Sequence, residues 1–366
     1  MFAPTAATTM DETTSGGSPP HVPDGLDGRT WHREGQTMAI IKDPHAFNQD
    51  SLFIDLEETL GRRLYLKVEG LNLAGSIKLK PALEMVERAE RDGLLGPGSV
   101  LVESSSGNLG VALSMISASK GYGFVCVVDP RCNPATSRLI ESMGAQVDLV
   151  TEPDPVDGFL GARLNHVREL CASDTRYVWL NQYVNDGNWG AHYRWTAPEI
   201  VTAFPDLDVL FVGAGTTGTL MGCARYFREH RPSVRVVAVD AAGSITFGGA
   251  PASRLIPGLG MSVRPPQLDE SFVDDVVVVE EVDTIRTCHS MAGRGFLFGG
   301  STGTVVCGAI RWLTEHQAED ATAVAISPDL GRPYLDTVYQ TSWVLDNFGA
   351  DALAAPASAA GSPSVV

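Results

Sequence analysis

The sequence predicts an α/β protein built of two doubly wound α/β domains with a cleft between them. Three observations predict it. Runs such as VLFVG and VCVV are apolar at every position, so they need cover on both faces, which is the state of strands in a parallel sheet. These runs alternate with helix-length segments through most of the 366 residues. Several strands also break into small residues and glycine just before a helix, the place where open α/β sheets bind ligands.

The elements follow in order. RLYLKVEG (63–70) is a strand, and KPALEMVERAERDG (80–93) sets Ala82, Leu83, Val86 and Ala89 on one helical face, with Pro81 tolerated in the first turn. SVLVES is a strand, and NLGVALSMISASKG is a helix that stops at glycine. GFVCVVD, TSRLIESMG, AQVDLVT and GFLGARLNHVRELCAS continue as strand, helix, strand and helix. The second half repeats the habit. DVLFVGAG, VRVVAVD, DDVVVVE and ATAVAISP read as strands, and LMGCARYFREH, EVDTIRTCHSMAG and GTVVCGAIRWLTEH as helices. Length suggests about two domains. Residues 1–38, rich in Thr, Gly, Ser and Pro, read as a disordered tail. Residues 39–180 then form an N-terminal domain and 181–348 a C-terminal one. The Ala/Ser/Pro-rich stretch 349–366 reads as a second tail.

Composition narrows the function. A net charge of −17 argues against nucleic acid or an anionic membrane as partner. No apolar run approaches the ~20 residues of a membrane span, and the N-terminus lacks a basic segment followed by an apolar core. The six cysteines show no C-x-x-C pair and mostly sit in apolar stretches, which reads as reduced core thiols in a cytoplasmic protein. No His/Cys spacing supports a metal site.

Four strand-to-helix turns carry the chemistry. LNLAGSIKLKPA places Lys78 just before a helix. ESSSGNLGVA places Ser105, Ser106 and Asn108 between a strand and a helix. GAGTTGTL brings together Gly215, Thr216, Thr217, Gly218 and Thr219, and GGSTGTVV sets Ser301 at the start of a helix. Singly, each has a plain explanation: a solvated lysine, a helix cap, or a glycine relieving a turn. Together, helix N-termini with free N–H groups and one nearby lysine point to a small ligand bearing phosphate and carboxylate groups. Gly213, Gly215 and Gly218 also fit the dinucleotide fingerprint G-x-G-x-x-G, with Asp240 lying 22 residues past Gly218, where a ribose-binding acid would stand. A nicotinamide dehydrogenase is therefore an alternative, but it leaves GSIKLK, SSSGN and GGSTG without a purpose.

In this order, AGSIK, SSSGN, GTTGT and GGSTG resemble the fold-type II pyridoxal-phosphate enzymes of the cysteine synthase and β-replacement group, a tryptophan synthase β-like fold with the cofactor in the interdomain cleft. The likeness runs over about residues 50–340 and takes in GLGMSVRP and GRPYLDT. GSIKLKPAL, ESSSGNLGVALSMI, NQYVNDGN, AHYRWTAPEI and VDAAGSITFGG are similar to the branch that makes 2,3-diaminopropionate for siderophores or antibiotics. The resemblance implies that Lys78 binds pyridoxal 5'-phosphate as a Schiff base and that Asn108 meets the ring 3-hydroxyl. It implies that Gly215, Thr216, Thr217, Gly218 and Thr219 hold the phosphate, and that Ser301 faces the pyridine nitrogen. Ser105, Ser106, Asn108 and Gln182 would bind the substrate carboxylate. Leu109 stands where the T-S-G-N-T-G loop of cysteine synthases has threonine, and FIDLEETLGRRLYLKVE replaces their Asn-Thr-Pro-Leu turn.

The implied reaction removes the Cβ leaving group of O-phospho-L-serine and adds the amine of L-glutamate there, giving N-(2-amino-2-carboxyethyl)-L-glutamate. A partner dehydrogenase would consume that product, and a homodimer is the expected assembly. Sulfide or ammonia as nucleophile, and acetate as leaving group, are the alternatives within the same cofactor class. Arg131, in the turn VVDPRCNPAT, is the candidate for the leaving phosphate, and Arg264 a weaker one for a carboxylate. His192 and His289 read as structural or surface residues, Cys132 has no role in β-replacement, and Asp240 then becomes a strand-end residue.

Overall fold

The computed structural model describes residues 41–49 and 51–354. The tail expected over 1–38, and the part of the C-terminal tail from residue 355 on, lie outside them. In chain order, β1 (Phe53–Asp55), α1 (Glu57–Leu60) and β2 (Leu64–Val68) form a small antiparallel hairpin. α2 (Leu79–Arg91), β3 (Val100–Ser104), α3 (Asn108–Lys120), β4 (Gly123–Val128), α4 (Pro134–Ser142), β5 (Gln146–Leu149), α5 (Gly158–Ser173) and β6 (Tyr177–Trp179) follow. Next come α6 (Asp186–Ala191), a π-helical turn over His192–Thr196, and α7 (Ala197–Ala203). The chain closes with β7 (Val209–Gly213), α8 (Gly218–His230), β8 (Arg235–Ala241), β9 (Asp275–Val279), α9 (Glu281–Ala292), α10 (Gly300–Glu315), β10 (Ala323–Ser327) and α11 (Thr341–Phe348). No helix among the described residues is long and apolar enough to cross a membrane.

Two sheets result. The smaller runs β5-β4-β3-β6 and is parallel throughout; the larger runs β1-β2-β10-β7-β8-β9 and is parallel except for β1. Both are covered on two faces, which explains the unbroken apolar strands. In β7, Val209 and Phe211 pack with Val305 and Trp312 of α10, while Leu210 and Val212 pack with Leu220 and Phe227 of α8. In β3, Leu101 joins Met85 and Leu113 on one side, and Val102 joins Val167 of α5 on the other.

The sheets do not follow the expected boundary at 180. β1 and β2 fall within 39–180 but belong to the larger sheet, where Leu64 lies opposite Ala323 of β10. Apolar content marks a strand without stating its partner, so this long-range pairing left no local trace. The expected tail from 349 is also corrected at its start. Ala350–Leu353 form a 3₁₀ turn, and Ala352 is fully buried beside Ile285 and Val344, a contact its Ala-rich composition does not signal.

A buried charge cluster ties β2 to the helices above it. Lys67 Nζ reaches Glu69 at 3.0 Å and Glu199 at 2.7 Å, and Lys80 Nζ reaches the same two carboxylates at 3.1 and 3.0 Å. Lys67, Glu69 and Lys80 are all buried. This cluster fixes the start of α2, the helix that Lys78 precedes.

Candidate active site

Lys78 immediately precedes the first residue of α2 and makes no capping hydrogen bond to it. Its loop is held against the end of β10 by the Ile77 amide, which donates to the Pro328 carbonyl at 2.7 Å. A small cleft opens beside it, lined by Lys78, by Val212 and Gly213 at the end of β7, by Gly215–Thr219, by Ile326 in β10 and by Pro328 just after it. Lys78 keeps part of its surface on this cleft, while the protein packed around it pushes its amine from the usual 10.5 down to about 8. No hydrogen-bonded carboxylate offsets that desolvation, unlike the situation at Lys67 and Lys80.

The Gly215–Thr219 turn forms the opposite side. It leads from β7 into α8, whose first N–H groups have no intrahelical partner and carry the positive end of the helix dipole. Thr217 sits at φ 66°, a left-handed conformation that is strained for a β-branched residue and bends the turn around the helix end. Gly218 is required by contact: a Cβ there would lie 2.1 Å from Asn188 Oδ1. The Asn188 amide in turn donates to Thr216 Oγ1 at 3.1 Å and to the Gln182 carbonyl at 2.7 Å. Thr219 Oγ1 pairs with His192 Nε2 at 3.2 Å, and His192 Nδ1 pairs with Thr196 Oγ1 at 3.0 Å. Burial and the nearby lysines hold His192 well below the ordinary histidine range, so its ring is neutral. His192 is thus fully buried beneath the turn, the structural of its two expected roles.

The Ser105–Asn108 loop comes from the end of β3. Ser105 Oγ accepts from the Gly107 and Gly110 amides, capping α3, and leaves its O–H hydrogen to donate. Gln182 is tied beside this loop, its Nε2 donating to the Ser104 carbonyl at 3.1 Å and its amide to Glu103 Oε2 at 3.2 Å. Glu103 also accepts from Trp179 Nε1, and burial raises its carboxyl to about 7. Asn108 Nδ2 crosses to the larger sheet and donates to Asp329 Oδ2 at 3.2 Å. Ser301 is buried in the first turn of α10, donates to the Pro257 carbonyl at 3.4 Å, and abuts Gly258, which lines the cleft.

One cation near this loop was not anticipated. Arg163 of α5 is buried, donates from Nη1 to Ser106 Oγ at 3.4 Å, and pairs through Nε with Asp129 at 3.3 Å. Leu160 and Val167 on the same helix face are buried apolar residues. An arginine in that i, i+3, i+7 stripe is out of place for a core helix, and this was the available sequence signal. Arg131 binds the same Asp129, at 3.1 Å, but its side chain is 64% exposed and set over the Phe159 ring. Arg264 is half exposed and paired with Glu270. His289 of α9 donates from Nε2 to the Val338 carbonyl at 2.7 Å and stacks on Tyr339. Cys132 is a buried thiol against the Ser106 carbonyl, pushed up by burial, and all six cysteines are free. Asp240 is buried near the end of β8 and caps the Ala241 amide. Among the described residues no His, Cys, Asp and Glu cluster suits a metal ion.

A lowered-pKa lysine facing a hydroxyl-rich helix N-terminus suits an aldehyde that carries a phosphate monoester. The desolvated amine meets the aldehyde end, and the Thr/Gly turn meets the dianion without a cation. These features define a pyridoxal-phosphate enzyme, and the comparison agrees: residues 53–329 match the model of the pyridoxal-phosphate-dependent enzyme family, and the chain belongs to that family. The chain is 41% identical over 283 residues to N-(2-amino-2-carboxyethyl)-L-glutamate synthase of Ralstonia nicotianae, covering 77% of this chain and 83% of that protein. Among solved structures it is similar to O-ureido-L-serine synthase, with a TM-score of 0.77 and 32% identity over 85% of this chain and 96% of that one. It is also similar to a hydrogen sulfide-producing enzyme from Fusobacterium nucleatum, with a TM-score of 0.76 and 30% identity over 81% of this chain and 99% of that one. The doubly wound fold and the cofactor class follow from these matches; the dinucleotide reading of the glycine turn does not.

Proposed function

We propose that the protein joins O-phospho-L-serine to L-glutamate, releasing phosphate and forming N-(2-amino-2-carboxyethyl)-L-glutamate. The observation that carries this reading is Lys78, poised at about 8 in the same cleft as the Gly215–Thr219 turn. The identity to the Ralstonia synthase supports the choice of substrates. Pyridoxal phosphate, when bound, supplies an electron sink that weakens the Cα–H bond and lets a group leave Cβ. The residues proposed to hold it are Lys78, Asn108, Gly215–Thr219 and Ser301.

The chain's own residues then divide the work. The neutral Lys78 amine takes the Cα proton and later returns it, which requires a pKa near working pH. Ser105, Ser106, Asn108 and Gln182 hold the amino-acid carboxylate, and the bonds of Ser105 to the Gly107 and Gly110 amides and of Gln182 to the Ser104 carbonyl set the loop before substrate arrives. Ser301, a neutral hydroxyl, cannot hold a ring nitrogen protonated as a carboxylate would, which favours prompt loss of the Cβ group. The product's consumer would be a dehydrogenase, the assembly a homodimer and the compartment the cytoplasm.

Two arginines share Asp129, and their placement separates their roles. Arg163 is buried at the substrate loop, so it supports binding of the leaving phosphate better than the exposed Arg131. Arg163→Ala is expected to raise KM for O-phospho-L-serine about tenfold or more, and Arg131→Ala to change it little. Neither should alter KM for O-acetyl-L-serine comparably. A larger effect at Arg131 would return the phosphate site to that residue. The reaction itself is tested by mass spectrometry of products from O-phospho-L-serine offered glutamate, ammonia and sulfide in parallel. Cysteine formation without the glutamate adduct would refute the proposed reaction.

A further inference from the structure

Asp329 follows β10 and is 1% exposed. Its Oδ2 accepts two hydrogen bonds, from Asn108 Nδ2 at 3.2 Å and from the Tyr334 hydroxyl at 2.6 Å. Its Oδ1 has no partner among the described residues. Gly299 makes room for that oxygen, since a Cβ there would stand 2.1 Å from it. The main chain is pinned as well: the Asp329 carbonyl accepts from Thr302 Oγ1 at 3.0 Å and from the Gly299 amide at 3.1 Å. A buried carboxylate with one orphan oxygen costs stability, and packing alone gives no reason to keep it. Its two partners come from different elements. Asn108 opens α3 beside the smaller sheet, and the Tyr334 ring lies against Gly300 at the start of α10.

We propose that Asp329 is a positioning residue for the cofactor, holding the Asn108 amide in one of its two flip states. The inference rests on the reading of Lys78 and Asn108 as cofactor-holding residues. An ionised carboxylate only accepts, so it requires the NH₂ of Asn108 on its side. A flipped Asn108 would place its carbonyl oxygen against Oδ2, oxygen facing oxygen. A protonated Asp329 can donate and tolerates the flip, which would turn the other face of the amide to the cofactor ring. Burial raises the Asp329 carboxyl to about 6 despite its two donors, so the change of state falls within the range where the enzyme can be assayed.

The test is the visible absorption of the bound cofactor in the wild-type holoenzyme, Asp329→Asn and Asp329→Ala, followed between about pH 5 and 8. The cofactor dissociation constant is measured alongside by fluorescence. The wild-type band is expected to change near pH 6, and both variants should lack that step. Asp329→Asn keeps an acceptor for Asn108 and should hold the cofactor nearly as well, whereas Asp329→Ala should bind it about tenfold more weakly. A purely structural aspartate would lower the melting temperature and leave the pH profile of the band in place. Persistence of the step in the variants, or its absence from the wild type, overturns the proposal. Should Asp329→Ala fail to fold, Asp329→Asn decides on the same profile. Failure of the underlying cofactor assignment has a separate signature: a wild-type band that Lys78→Ala leaves untouched.

Discussion

A lysine amine attacks an aldehyde only without its proton, and in water about one in a thousand or fewer is neutral at pH 7. At Lys78 the desolvation that brings the amine to about 8 makes the neutral form a substantial fraction, and it does so at a cost to the cofactor-free protein. A base whose folded pKa is depressed stabilises the fold fully above its unfolded value and less as pH falls toward its folded value. Here that window runs from 10.5 down to about 8, with no further loss below it. Lys78→Met removes the penalty, so the cofactor-free variant should exceed the cofactor-free wild type by about 2–3 kcal/mol at pH 8. The gap should close as pH approaches 10. Urea denaturation at both pH values checks this, and equal stabilities at pH 8 would mean that the amine is not desolvated. Lys78 and the Thr/Gly turn, which line one cleft, could be singled out in the sequence because a lysine and small hydroxyl residues at strand ends stand out from apolar strands. Asp329 could not: an aspartate in a loop is ordinary, and only burial reveals that it lacks solvent. His192 was read as structural or surface and is structural, but nothing local says that a π-helical turn carries it under Thr219.

At the scale of elements, the Lys78 loop depends on charges it does not touch. Glu69 ends the strand β2 region, and both Lys67 and Lys80 bind its Oε1. Glu199, near the start of α7, closes the cluster from the other side and is partly exposed. Removing one acid from a buried network leaves a cation without its full complement, which is worse than never having built the pair. Glu69→Ala should therefore destabilise the fold by about 3–5 kcal/mol, whereas Glu199→Ala should cost less because water can reach that side. Thermal or urea unfolding of the two variants ranks them, and the reverse order would show that Glu199 is the true anchor. Strands such as β7 and β8 and helices such as α5 could be placed from the sequence because their patterns are long. β1, β6 and α6 are three to six residues each, too short to carry a period, and are held by neighbours that the local sequence does not name. The same limit hid the pairing of β2 with β10, which places the Lys78 loop and the Pro328–Asp329 turn side by side.

For the whole molecule, the electrostatic problem is that an acidic protein is to take up acidic substrates. The chain carries a net charge of −17, whereas O-phospho-L-serine is an anion and O-acetyl-L-serine is nearly neutral at pH 7. Long-range repulsion from the net charge opposes entry of the first and leaves the second unaffected. Arg163, Arg131 and their shared Asp129 carry one net positive charge, too little to offset −17 at a distance, so the attraction of Arg163 counts mainly at contact. Salt separates these terms. The screening length falls from about 30 Å at 0.01 M to about 8 Å at 0.15 M, so added salt removes the repulsion across the molecule but leaves a buried contact largely intact. Raising salt over that range should increase kcat/KM for O-phospho-L-serine about threefold, and change the value for O-acetyl-L-serine little. Paired assays at the two salt concentrations, with the same neutral nucleophile, give the ratio directly. A decrease for the phosphorylated substrate alone would mean that the field at the mouth of the cleft is positive despite the net charge, and that cations near the cleft, not the global charge, govern substrate capture.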